Sequence, residues 1–249
     1  MEKQNRIQIS PGCEELAIAT GWFIIEVAKS AVEARGRFVI SLAGGHTPEQ
    51  VYVLLSKPPF RDHMPWNKTY IFWGDERCVA PDNKDNNAHM ARVKLLNHIT
   101  LPSHHIYPIP VNLQPTEAAS KYENTIKSFF NNDLPCFDLV LLGLGENGHT
   151  ASLFPGDSNI HDDTHLVNEV HVAGQEIARI TMTAALINQA YNIVFLVSGE
   201  HKAEILNTVL TASYQPDKYP AQLIKPVNGN LYWYVDSCAA SLLPYHIRN

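Results

Sequence analysis

Four stretches of unbroken apolar character, each of strand length, recur along the chain: "RFVISLA" (37–43), "TYIFWG" (69–74), "FDLVLLGL" (137–144) and "YNIVFLVS" (191–198). A strand with one wet face alternates apolar and polar residues. A strand without that alternation is covered on both faces, as in a parallel sheet sandwiched between helices. The segments between them carry helical periodicity over 13–34, 47–55, 86–97, 115–131, 183–189 and 201–211. Strand-then-helix alternation predicts an α/β fold built on an open, mostly parallel, doubly wound sheet flanked by helices. "LYWYVDSCAASLL" reads as a last strand followed by a short helix starting near Asp236, and the polar segment 156–178 as a flap or an added strand. No repeat, low-complexity tract or linker interrupts the pattern, so 1–249 reads as a single domain.

In open sheets of this kind ligands bind beyond the carboxyl ends of the strands. The residues that end each run should therefore be the chemically active ones. They are "AGGHTP", "GDER", "GENGHT" and "GEHK", four clusters of glycine, charge and histidine. Gly44 and Gly45 precede Thr47 and Pro48 at a helix start, where exposed amides suit an anion or an oxyanion; Thr47 is the expected N-cap. Asp75, Glu76 and Arg77 bring three charges to one strand end, which is costly unless they pair or face a cleft. Arg179 in "ARITMT" and Lys202 in "SGEHK" are cations suited to a phosphate, one as a bidentate fork and one as a point charge.

Gly143, Gly145 and Gly148 spell G-x-G-x-x-G, a spacing used by dinucleotide sites. Such a site needs a long helix after the third glycine, with its N-terminus aimed at the pyrophosphate. Here Pro155 and Gly156 follow within two turns and would end that helix. The glycines instead predict a tight bend that projects His149 into the cleft as a catalytic histidine. Ser152 reads as a helix or turn hydroxyl, since the G-x-S-x-G nucleophile pattern is absent.

A net charge of -6 leaves no basic footprint for nucleic acid, yet a few local cations suffice for a small anion. "MEKQNRIQIS" lacks the apolar core of a signal peptide and no apolar segment reaches membrane-spanning length, so a cytoplasmic protein without a membrane partner is expected. Cys13, Cys78, Cys136 and Cys238 form no C-x-x-C pair and read as reduced thiols. His161 and His165 stand four apart in a polar, loop-like stretch, which gives little support for a metal. His104 and His105, bounded by prolines, read as a connecting loop.

"SLAGGHTPEQVYVLL", "IFWGDERCVAPDN", "DLVLLGLGENGHTASLFPG", "ARITMT", "SGEHKAEIL", "YPAQLIKP" and "LYWYVDSCAAS" occur in the order and approximate spacing of the 6-phosphogluconolactonases, and the chain resembles that family from about Phe38 to Ala240. The resemblance implies a Rossmann-like parallel sheet of the glucosamine-6-phosphate deaminase/ribose-5-phosphate isomerase-like type, no bound cofactor, and a sugar-phosphate substrate handled by a monomer or small homo-oligomer. The deaminase relatives carry a Met-Asp-Glu-Tyr type motif where this chain has "GDER" and a Phe-Asn-Glu-Pro type segment where it has "SLFP". No acid follows His149 closely enough to serve as their partner glutamate. His46 stands where the lactonases commonly have serine, "DNNAHMAR" replaces an Asp-Ser-Asn-Tyr segment, and Asn147 stands where an aspartate usually precedes "GHT".

By this resemblance Arg179 and Lys202 hold a phosphate, and His149 is the general base on a water that opens the lactone. The amides of Gly44, Gly45 and Thr47, with Arg77, stabilise the oxyanion. Asp75 orients Arg77 or substrate hydroxyls, and Asn147 joins the substrate-binding set beside His149. An amide at Asn147 can orient the imidazole but cannot stabilise its cation by charge. Two other readings stay open: deamination with isomerisation of an amino-sugar phosphate, and a non-catalytic sugar-phosphate sensor.

Overall fold

A computed structural model describes residues 6–172 and 174–248. Residues 1–5, part of the stretch read above for a signal peptide, lie outside them. The strands are β1 Arg6–Ser10, β2 Phe38–Leu42, β3 Thr69–Trp73, β4 Asp75–Arg77, β5 Leu139–Gly143, β6 Val167–Val170, β7 Arg179–Met182, β8 Asn192–Val197 and β9 Asn230–Asp236. The helices are α1 Cys13–Arg35, α2 His46–Leu55, α3 Phe60–His63, α4 Asn87–Lys94, α5 Pro115–Phe129, α6 Ala184–Ile187, α7 Ala203–Thr211 and α8 Tyr245–Arg248.

Six strands form one sheet in the order β1-β9-β8-β5-β2-β3, and every pairing in it is parallel. All five residues of β2 and all but the first of β8 are buried, which is why their sequences show no alternation. The chain runs from β2 outward to β3, then returns to lay β5 on the other side of β2 and continues outward through β8 to β9. The order of strands therefore reverses between β2 and β5. That gap, at the carboxyl ends, is the switch point where open α/β sheets bind ligands. "AGGHT" leaves from one side of it and "GENGHT" from the other.

A second, antiparallel sheet of order β4-β7-β6 stands beside the first. Gly74 is the corner between them: its N–H donates to Leu42 of β2 at 3.0 Å and its carbonyl accepts from Met182 at 2.7 Å. Buried tyrosines brace the strand ends at this corner. Tyr52 of α2 both accepts from the Ala43 N–H and donates to the Ala43 carbonyl (3.0 and 2.8 Å), and Tyr122 of α5 does the same at Trp73 (2.9 and 2.9 Å). Burial holds both phenols far above the ordinary tyrosine range, so they remain neutral donors.

Several boundaries differ from the sequence expectation. Helix 86–97 stops at Lys94, because Leu95 leaves helical geometry (φ -130°, ψ -62°) before a 3-10 turn at Leu96–His98. Helix 115–131 stops at Phe129, with Asn131 and Asn132 at φ 56° and 61°. The helix expected from Asp236 is a series of turns. Asp236 accepts from the Ala239 N–H, but the same carboxylate also holds Ser198 and Gly199, and Pro244 follows before the chain can extend a helix. Thr47 is not the N-cap of α2, which begins one residue earlier with Gly45 as its cap. Segment 156–178 contributes β6 as an added strand. The loop of His104 and His105 is a 3-10 turn tethered to the sheet, His105 Nδ1 lying 3.0 Å from the Thr69 carbonyl.

Candidate active site

A cavity of about 910 Å³ opens at the switch point, and the nine residues given catalytic or binding roles by the resemblance line it: Gly44, Gly45, Thr47, Asp75, Arg77, Asn147, His149, Arg179 and Lys202.

The loop after β5 answers what its glycines do. Gly145 N–H donates to the His149 carbonyl at 2.8 Å and Gly148 N–H to Gly145 at 2.9 Å, closing a tight bend with Gly148 at φ 80°. A Cβ on Gly145 would lie 2.0 Å from both Cε1 and Nδ1 of His149. The first of these glycines is bare because the imidazole lies against it, and the second permits the turn. The loop is pinned beyond the histidine as well. Thr150 donates to the Gly143 carbonyl at 2.8 Å, and Ser152 donates to Asp75 at 2.6 Å. Between them Ala151 is held at φ 47°, a left-handed conformation that a residue with a Cβ adopts at a cost.

His149 Nδ1 is 2.5 Å from Asn147 Oδ1, and the His149 backbone N–H donates to that same oxygen at 3.2 Å. Because the backbone can only donate, the atom it meets must be the amide oxygen. The imidazole proton then sits on Nδ1, leaving the Nε2 lone pair free to act as a base. The ring stacks on Phe154 at 4.3 Å, and Arg179 lies over that same phenyl ring at 5.1 Å. Burial first, then Arg179, Lys202 and Arg77, push the histidine down to about 4, so it is neutral at neutral pH.

Three cations face this base. Arg77 and Arg179 are direct partners across the β4–β7 ladder. Arg77 donates through Nη1 to the Asp85 carbonyl at 2.9 Å and to Asn87 Oδ1 at 3.0 Å; Arg179 donates through Nη2 to Gln175 at 3.1 Å. Burial and the neighbouring Arg77 lower the Arg179 pKa. Lys202 lies in the 3-10 turn Glu200–Lys202, where burial lowers its pKa and Glu146 opposes the shift. On the far wall Gly45, at φ 96°, caps α2, and Gly45, His46 and Thr47 of that helix start line the cavity.

Asp75 is expected to orient Arg77 or substrate hydroxyls. Among the described residues no salt bridge joins it to Arg77; one oxygen accepts from Ser152 and the other is 3.4 Å from Asn87 Nδ2. Ser152, read from the sequence as a turn hydroxyl, thus braces the histidine loop against β4. Glu76 points away into the protein and accepts from the backbone N–H groups of Arg77, Asn87 and Ala88 at 2.8–2.9 Å. Burial raises its pKa to about 7 against the pull of those amides. Asn87, Ser152, Gln175 and Phe154 all shape the site without a sequence signal of their own. The partners of Asn87 and Ser152 are distant in the chain, Phe154 lies within the histidine motif, and Gln175 stands in a polar stretch four residues before Arg179. His161 and His165, the spaced pair, turn to Asp217 and Asp162 respectively, and no group of three or more potential metal ligands occurs among the described residues.

A family model described as glucosamine-6-phosphate isomerases/6-phosphogluconolactonase matches residues 11–233. The 6-phosphogluconolactonase of Synechocystis sp. is 40% identical over 217 residues, covering 86% of this chain and 88% of that protein. The solved devB protein aligns with TM-score 0.89 at 30% identity, over 97% of this chain and 100% of its own. A monomeric glucosamine-6-phosphate deaminase aligns with TM-score 0.82 at 21% identity, over 95% of this chain and 97% of its own, and shares the fold. The chain belongs to the glucosamine-6-phosphate isomerase and 6-phosphogluconolactonase family.

Proposed function

We propose that this protein hydrolyses 6-phospho-D-glucono-1,5-lactone to 6-phospho-D-gluconate, the lactone-opening step of the oxidative pentose phosphate pathway. The observation that carries the reading is the free Nε2 of His149 set in one cavity with Arg77, Arg179 and Lys202. Such a site offers a neutral base and places for two negative charges, one carried by the substrate and one that develops during reaction.

Arg179 and Lys202 hold the phosphate. His149 takes a proton from water as the water oxygen bonds to C1, and the carbonyl electrons move onto oxygen. Arg77 and the amides of Gly44, Gly45 and Thr47 stabilise that oxyanion. When it collapses, the bond from C1 to the ring oxygen breaks and His149 returns the proton to the departing oxygen. The new carboxylic acid then ionises. Acid–base help of this type is worth roughly 10²–10⁴-fold, and one oxyanion donor about 10²–10³-fold. A lactone is already an activated ester, so the scheme invokes no metal or redox cofactor. The protein acts in the cytoplasm, as a monomer or small homo-oligomer, on a small sugar phosphate.

The deaminase fold is shared, so fold alone does not separate the two activities. "GDER", "SLFP" and the lack of an acid close after His149 favour the lactonase. The test is the decay of lactone generated in situ from glucose 6-phosphate, compared with its spontaneous rate. Acceleration by wild type and not by His149→Ala is expected. Acceleration by both would remove His149 as base, and acceleration by neither would overturn the activity.

A further inference from the structure

We propose that Asn87 is a positioning residue for the oxyanion-stabilising half of the site, locking Arg77 and the Gly44–Gly45 loop to one another. The inference rests on the roles given above to Arg77 and the glycine loop and extends them to a residue outside the cavity's charged set.

Asn87 is the first residue of α4 and is buried at 3% exposure. Its amide is fully committed in one orientation. Oδ1 accepts from Arg77 Nη1 at 3.0 Å, and Nδ2 donates to the Asp75 carbonyl at 2.9 Å. A guanidinium can only donate and a carbonyl only accept, so flipping the amide would break both bonds. Behind the side chain, the Asn87 N–H is tied to Glu76 Oε1 at 2.8 Å and the next N–H to Oε2 at 2.8 Å. The residue is anchored on β4 from two directions.

Its third contact faces the other wall. A Cβ on Gly44 would lie 2.0 Å from Asn87 Oδ1, 2.4 Å from Cγ and 2.8 Å from Nδ2. The amide therefore rests directly on the Gly44 backbone. Gly45 needs to be glycine for its φ of 96°, whereas Gly44 needs to be glycine for Asn87. One planar amide thus touches Arg77 on one edge and the loop that starts α2 on its face. It sets the distance between the guanidinium and the helix-terminus amides. Because the amide is neutral, it directs Arg77 without cancelling the charge that the oxyanion requires, and it holds that side chain in place against the repulsion of Arg179 opposite.

The test compares kcat and KM for the lactone in Asn87→Ala, Gly44→Ala, the double variant and Arg77→Gln, with melting temperatures for each. Loss of positioning should lower kcat of Asn87→Ala by about 10²-fold, the scale of one misplaced oxyanion donor, with KM within threefold of wild type. Gly44→Ala should lower kcat on its own, because its methyl displaces the amide. In the double variant the methyl enters the space left by the amide, so the second change should cost far less than it does alone. A wild-type kcat in Asn87→Ala, a change confined to KM, or losses that simply multiply would each overturn the proposal. Arg77→Gln separates the failures: if it keeps wild-type kcat, the oxyanion role of Arg77 falls and the proposal with it. If it loses kcat while Asn87→Ala does not, the proposal alone falls. Should Asn87→Ala fail to fold, Gly44→Ala carries the test, and a wild-type kcat in that variant would overturn the lock.

Discussion

Arg77 and Arg179 stand directly opposite each other in the β4–β7 ladder, cation facing cation on one face of the sheet. Directly opposed residues of antiparallel strands hold their Cβ atoms about 5 Å apart, and like charges there are destabilising. Among the described residues no carboxylate forms an ion pair with either arginine: Asp75 is held by Ser152 and Glu76 turns to the backbone of α4, so both act on Arg179 only from a distance. Such a pair suits a protein that meets an anion between the two.

Replacing one of these cations should therefore separate function from stability. Arg179→Gln removes a charge-assisted contact worth about 1.5–3 kcal/mol, so KM should rise between roughly 10- and 150-fold with a smaller effect on kcat. In buffer without phosphate the same variant should melt at or above the wild-type temperature, because the repulsion is gone. Inorganic phosphate should raise the melting temperature of wild type and leave Arg179→Gln nearly unmoved. Calorimetry with and without phosphate, beside steady-state kinetics, checks all three; a variant melting well below wild type would show the arginine to be structural.

The pH dependence follows from the surroundings of His149. His149 acts as a base only when neutral, and its pKa is pushed down to about 4 by burial and the three cations. Activity should thus be lost only as pH falls toward that value. An aspartate at position 147 would put a negative charge against Nδ1–H, favour the imidazolium and raise the pKa by about 1–3 units. In Asn147→Asp the acid limb of kcat should move to higher pH by that amount. A titration of the His149 ring by NMR, beside the kcat profile corrected for spontaneous hydrolysis, measures both. Coincident limbs for wild type and variant would mean that the loss at low pH belongs to another group.

The same cations link substrate binding to basicity. A phosphate dianion beside Arg179 and Lys202 offsets two of the charges that hold the histidine down, so occupancy of the phosphate site should raise the His149 pKa. By reciprocity, protonating His149 should tighten phosphate binding. NMR titration of the ring at saturating inorganic phosphate is expected to show an upward displacement in wild type and little in Arg179→Gln. Saturable phosphate binding with an unmoved histidine would place the anion too far away to act on the base.

What the sequence discloses and what it hides divide along a physical line. β2, β3, β5 and β8 are legible because burial on both faces leaves continuous apolar runs, and the chemistry is legible because it gathers where those runs end. β1 shows only a weak pattern, with Ser10 its one buried residue. β4 is three charged residues that become a strand only through pairing with β7. Asn87 and Ser152 are hidden for a related reason. An asparagine at a helix start and a serine after a histidine carry no periodic signal, and their meaning lies in contacts with Arg77 and Asp75, 10 and 77 residues away.

The glycines of the histidine loop make the sharpest contrast between neighbouring positions. Gly143 has nothing within 4 Å of where a Cβ would stand, while at Gly145 that Cβ would lie 2.0 Å from the His149 ring. A methyl at Gly145 must push the imidazole off the turn, away from Asn147 and from its stack on Phe154. Gly145→Ala should therefore lose activity on the scale of removing the base, roughly 10²–10⁴-fold, with KM little changed, since Arg179 and Lys202 do not depend on that turn. Gly143→Ala should stay within a few-fold of wild type. Both variants should remain folded, because the added methyl at Gly145 meets a side chain at the edge of the cavity and not the core. If the two variants lose activity equally, the glycines serve the bend alone, and the close contact with His149 has no catalytic consequence.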